Sequence, residues 1–131
     1  MIVLDTHVWV WWVGSPESLS KSARETIENA IHEKNIYVSS ISVWEVALLA
    51  SVNRLKLNVD VADWVAMNES LPYLSFVPVD NNIAVKAVRL AEPLHKDPAD
   101  RIIIATAIIL GAELVTKDER IRNYPPVKTI W

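Results

Sequence analysis

Apolar residues along this chain follow two rhythms. Short continuous runs stand between polar or turn residues, and longer segments repeat their apolar positions every three to four residues. The short runs read as buried strands and the longer ones as helices. Ile2, Val3 and Leu4 form the first run. A short helix over 8–12 follows, ended by "GSP". Ser20 caps a second helix reaching Lys34, with Ala23, Ile27, Ala30 and Ile31 at helical spacing. "NIYVSS" is a second strand. "SVWEVALLASVNRL" is a third helix, with Asn53 as its left-handed end. A fourth helix over 60–70, a strand at "SFVPV" and a fifth helix over 81–92 come next. "DPADRIIIATAIILG" is a strongly apolar sixth helix, closed by Gly111. "AELVT" is a strand, "DERIR" a helical turn, and "VKTIW" a last strand.

Strands alternating with helices predict an α/β domain with a parallel sheet covered on both faces. The third and sixth helices are apolar almost all round, which sends them against the sheet or a partner subunit. Residues 1–131 read as a single domain, with no repeat, linker or low-complexity segment. At 51% hydrophobic and 22% charged the composition is globular, and this length buries a core without staples. No cysteine is present, so a disulfide scaffold and a thiolate metal site are excluded. With two glycines, Gly14 and Gly111, no phosphate-binding glycine loop can be built. The longest apolar stretch is too short to cross a bilayer and no secretory signal is visible, so a cytoplasmic protein is expected. A net charge of −3 argues against a passive nucleic-acid binder but allows an acidic enzyme that holds metal ions.

The chemistry lies at the ends of the strands, where open parallel sheets form their sites. Asp5 ends the first strand. Glu45 lies in the first turn of the helix after the second. Asp100 lies in the first turn of the sixth helix, and Asp118 follows the fourth strand two residues after Thr116. Each acid also has a structural explanation. Asp5 and Asp118 are placed to cap helices. Ser42 with Glu45, and Asp97 with Asp100, fit capping boxes. Acids stabilise a first helical turn in any case. Four carboxylates at one rim are harder to explain this way. They would repel one another unless a divalent cation were shared, and Mg²⁺ prefers a few carboxylate oxygens plus water. His7, His32 and His95 lack zinc-type spacing, and His7 reads as a local hydrogen-bonding group. Ser39, Ser40 and Ser42 suggest no Ser-His-Asp arrangement.

The segments "VLDTH", "SSISVWEVA", "DPADRIIIATA" and "LVTKDERI" resemble, in order, the motifs of PIN-domain ribonucleases, and more narrowly of VapC-type toxins from toxin–antitoxin pairs. The resemblance covers nearly the whole chain. It implies a three-layer α/β fold with a mostly parallel central sheet flanked by helices. It also implies Mg²⁺ or Mn²⁺ dependence, endonucleolytic cleavage of RNA, a homodimer and a cognate antitoxin. By the match, Asp5, Glu45, Asp100 and Asp118 fall on the family's acidic quartet. Asp5, Asp100 and Asp118 hold the metal, and Thr116 occupies the hydroxyl position before the last acid, with Thr6 in support. Ala99 stands where relatives often carry an aromatic residue, and Asn53 where they often carry glycine.

Two other readings stand beside this one: a silent binding protein of the same fold, and a metal-dependent DNA nuclease or phosphatase. Trp9, Trp11 and Trp12 are many large rings for one short helix, so at least one is expected to line a groove for an apolar antitoxin segment. Trp64, Val65, Met67, Ile83, Val85 and Val88 on the fourth and fifth helices are expected to supply a dimer surface.

Overall fold

The computed structural model describes residues 1–131. Its elements alternate as the apolar rhythm predicts. β1 (Ile2–Leu4) leads into α1 (Thr6–Gly14), a 3₁₀ turn (Pro16–Ser18) and α2 (Lys21–Glu33). β2 (Ile36–Ser39), α3 (Ser40–Ser51), α4 (Val61–Glu69), β3 (Leu74–Val77) and α5 (Asn81–Val88) follow. α6 (Pro98–Leu110), β4 (Glu113–Val115), α7 (Glu119–Arg122) and β5 (Thr129–Ile130) complete the chain. The strands form one sheet in the order β3-β2-β1-β4-β5, with every pairing parallel. The first strand in sequence is thus the central one in space.

The pleat sorts the strand residues. Ile2 and Leu4 of β1, with Val115 of β4, join Val8, Trp9, Ile27 and Val46 in a core on one face. Val3 and Leu114 point the other way, into a second core with Ile103, Ile104, Ala107 and Ile121. Burial on both faces explains why β1 reads as an unbroken apolar run rather than an alternating one.

Caps set the helix ends. Ser20 Oγ accepts the Ala23 amide, and Lys34 takes the left-handed conformation that ends α2. Asp60 and Asp80 cap α4 and α5 in the same way. Pro98 begins α6, and Gly111 ends it at φ +64°, a conformation that a Cβ would strain.

Several boundaries differ from the sequence reading. α1 begins at Thr6, directly after Asp5, two residues before the expected start. α3 begins at Ser40 with Ser39 as its cap, which removes the capping box expected for Ser42 and Glu45 and puts Glu45 in the second turn. Ser39 ends β2 and accepts the Ile41 amide, so strand and helix join without a loop. Asn53, at φ +58°, lies just beyond this helix as expected for its left-handed end. α6 packs into the core as expected, whereas α3 buries only Ser42 and Val46 and leaves Trp44, Leu48 and Val52 exposed. No helix is long and apolar enough to cross a membrane.

Candidate active site

Asp5 leaves β1 at the centre of the sheet, and its backbone amide still bonds to Val115 of β4. The carboxylate then caps α1. Oδ1 accepts the Thr6 amide at 2.9 Å, and Oδ2 accepts the Thr116 hydroxyl at 2.6 Å. Thr116 Oγ1 in turn accepts the Asp118 amide at 3.1 Å. One buried hydroxyl therefore ties the end of β1 to the start of α7.

The next residue, Thr6, reaches the other way. Its Oγ1 lies 2.6 Å from Glu45 Oε1 and 2.8 Å from Ser42 Oγ. A hydroxyl has one proton, and it goes to the carboxylate as the stronger acceptor. Glu45 is thereby aimed at the rim from the second turn of α3. Asp100 is the third residue of α6. Its amide is capped by Asp97, and its Oδ2 lies 2.6 Å from His95 Nε2. Asp118 caps α7, and both its oxygens face Arg120: Nε is 3.2 Å from Oδ1 and Nη2 2.8 Å from Oδ2.

These side chains converge on one cavity of about 500 Å³. Asp5, Glu45, Asp97, Asp100 and Asp118 supply the acids; Lys117 and Arg120 supply the cations; His7, Val8 and Trp11 form the remaining wall with Thr6. All four acids singled out in the sequence are there. The capping and clustering readings are not alternatives, because Asp5 and Asp118 each do both. Ligand atoms of Asp100, Asp118 and His95 lie within 4.8 Å of one another, and Asp5 and Glu45 line the pocket outside this trio.

The electrostatics follow from placement. Burial pushes the carboxyls of Asp5, Glu45 and Asp100 above their usual range, and neighbouring carboxylates add to it. Thr116, Thr6 and His95 respectively oppose the shift by hydrogen bonding. Asp118 moves down, held in its charged form by Arg120. Clustered carboxylate oxygens are a donor set suited to a hard divalent cation such as Mg²⁺ or Mn²⁺. The residues present fit such an ion.

Sequence reasoning missed His95 and Arg120. His95 lies outside any ligand spacing, and its loop brings it to Asp100. That loop is held by Arg101, a buried guanidinium that donates to the carbonyls of Ala87 and His95 and, at 2.6 Å, to Glu92 Oε1. The tryptophans divide. Trp9 is core, packed at a tilt of 48° against Trp64 and donating Nε1–H to Asn68. Trp12 is partly exposed beside Tyr73, and Trp11 borders the acidic pocket with Lys117 Nζ 5.8 Å from its ring centre. Trp64 and Ile83, expected on a dimer surface, are buried within the subunit, whereas Met67, Val85 and Val88 are exposed.

An all-parallel α/β sheet that gathers carboxylates beyond its strand ends is the architecture of the PIN domain. The chain belongs to the PIN-domain family, whose model matches residues 2–125. It is 38% identical to Ribonuclease VapC22 of Mycobacterium tuberculosis over 132 residues, covering 99% of this chain and 98% of that protein. Solved structures share the fold. VapBC2 from Rickettsia felis, bound to a DNA fragment from its promoter, superposes with a TM-score of 0.70 at 21% identity, covering 98% of this chain and 97% of that one. FitAcB from Neisseria gonorrhoeae gives 0.69 at 22% identity, covering 98% and 96%.

Proposed function

We propose that this protein is a metal-dependent RNA endonuclease, the toxin of a toxin–antitoxin pair. The observation that carries this reading is the convergence of Asp5, Glu45, Asp100 and Asp118, from separate chain segments, on one pocket of a PIN domain. The similarity to a protein named as a ribonuclease supports RNA as the substrate class. Asp5, Asp100 and Asp118 would hold Mg²⁺ or Mn²⁺, directly or through water. Such an ion supplies Lewis acidity to the attacking water and to the departing oxygen. Glu45, fixed by Thr6, orients the water and accepts its proton. Thr116 keeps Asp5 and Asp118 in register. Water oxygen bonds to phosphorus as the bridging P–O bond breaks; the leaving oxygen takes a proton from solvent, and Glu45 returns to solvent the one it accepted.

Residues 1–131 act as one domain, in the cytoplasm where RNA is available. The partners are a second copy of the chain, through a surface including Met67, Val85 and Val88, and a cognate antitoxin. A groove of about 310 Å³ bordered by Val10, Trp11, Leu55 and Leu57 is suited to an apolar antitoxin segment. The similar solved structures include a toxin–antitoxin complex from Klebsiella pneumoniae, which supports the antitoxin.

Incubation with defined RNA and DNA pools, in Mg²⁺, Mn²⁺ and chelator, tests the reading. Internal cleavage of RNA that needs the metal is the expected result. Cleavage of DNA alone, or no cleavage by folded protein, rejects it.

A further inference from the structure

Both oxygens of Asp118 are engaged by Arg120. Its Oδ1 accepts the Arg120 amide at 2.9 Å and Nε at 3.2 Å, and its Oδ2 accepts Nη2 at 2.8 Å. The same Nη2 lies 3.6 Å from Asp100 Oδ2. The Arg120 guanidinium thus stands between two acids assigned to the metal, as a cation supplied by the chain itself. A divalent ion at Asp118 competes with the two side-chain bonds to Arg120 for the same oxygens.

The strength of this clasp matters. The Arg120 side chain is 61% exposed and that of Asp118 24%, so solvent screens a pair whose two parallel bonds fix one geometry. A divalent ion carries twice the charge of the guanidinium that it competes with. Once released, the guanidinium remains in the pocket wall. Lys117 is the other cation there, and a guanidinium binds phosphate through two parallel N–H donors.

We propose that Arg120 is exchanged between the acids and the substrate: metal binding displaces it from Asp118 and Asp100, and it then takes a phosphate of the bound RNA. This rests on the ribonuclease reading. By linkage, metal and RNA then bind with positive cooperativity, because each favours the released guanidinium.

The experiment compares the parent, Arg120→Ala, Arg120→Lys and the control Arg122→Ala. Mn²⁺ binding is read by calorimetry without RNA. Binding of single-stranded phosphorothioate RNA is read by fluorescence anisotropy, with and without Mn²⁺. Without its internal competitor, Arg120→Ala should bind Mn²⁺ about two- to fivefold more tightly, the reach of an exposed pair. It should also lose most of the Mn²⁺-dependent gain in RNA affinity. Arg120→Lys should recover part of that gain, and Arg122→Ala should match the parent. A merely structural Arg120 would lower the melting temperature and leave the Mn²⁺ isotherm alone. An unchanged or weaker isotherm in Arg120→Ala overturns the exchange, as does tighter Mn²⁺ binding with an undiminished RNA gain. If the parent still cuts RNA with Mn²⁺ in either case, the ribonuclease reading stands and only the exchange falls. A parent that binds no Mn²⁺ overturns both.

Discussion

Thr116 Oγ1 donates to Asp5 Oδ2 at 2.6 Å, joining residues 111 apart in the chain. The same oxygen accepts the Asp118 amide, so one fully buried hydroxyl serves two acids. Thr116→Val keeps the shape and removes both bonds. The variant should lose about 1–3 kcal/mol, the cost of leaving buried polar groups unpaired. RNA cleavage should fall with it, because Asp5 and Asp118 lose their common reference. Urea denaturation and a cleavage assay on the same preparation check this; wild-type stability would contradict it.

Asp5→Asn should separate chemistry from stability. Cleavage should drop at least ~100-fold, a few kcal/mol of lost transition-state stabilisation. Near-normal cleavage by folded variant would reject the proposed site.

The same variant has a pH signature. Burial raises the Asp5 pKa in the folded protein, so the fold binds that proton more tightly than the unfolded chain does. This contribution is complete below the ordinary carboxylate range and is lost as pH rises through the raised value. In chelator, Asp5→Asn should therefore gain on the parent as pH is raised from about 4 to 7. Mg²⁺ should raise the parent's melting temperature and do much less for the variant. Parallel stability profiles for the two proteins would show that Asp5 carries no such cost.

Arg101→Met tests the loop that brings His95 to Asp100. Removing the guanidinium leaves the Ala87 and His95 carbonyls without a donor, and a loss of about 2–4 kcal/mol is expected. Arg101 also holds the Glu92 carboxyl down to about 2. That contribution is present above the usual carboxylate pKa and is lost as pH falls through about 2, so the acid limb of the parent should flatten in the variant. An unchanged acid limb would sever Glu92 from Arg101 in solution.

Val88→Asp addresses assembly. Val88 is 79% exposed at the end of α5, on the face proposed for a second copy. Light scattering at tens of micromolar should show a dimeric parent and a monomeric variant. A monomeric parent would count against the surface.

How much of this was written in the sequence depends on the range of the interaction. β1 followed by Asp5, and Asp97–Pro98 opening α6, are local patterns that carry their own physics, and both were legible. So were Asp118 and Thr116, two residues apart at a strand end. The start of α3 was not, because Ser39 and Ser42 are equally good caps by type and only the strand pairing of Ser39 decides between them. His95 and Arg101 were illegible for a different reason. Each acts through an irregular loop whose path no periodicity reports. The buried tryptophan could not be told from its neighbours either: Trp9 is core because Asn68 accepts its Nε1–H, and that partner lies 59 residues away.

The central position of β1 has a consequence for the order in which the molecule comes into being. The strand that carries Asp5 is synthesised before β4, one of its two neighbours in the sheet, which arrives only at residues 113–115. Pairings this distant in sequence form late, since the intervening chain must be ordered first. A nascent chain therefore carries Asp5 and Glu45 with nothing opposite them. The pocket closes only when Thr116 and Asp118 have followed, so the proposed nuclease activity waits for the segment that carries them.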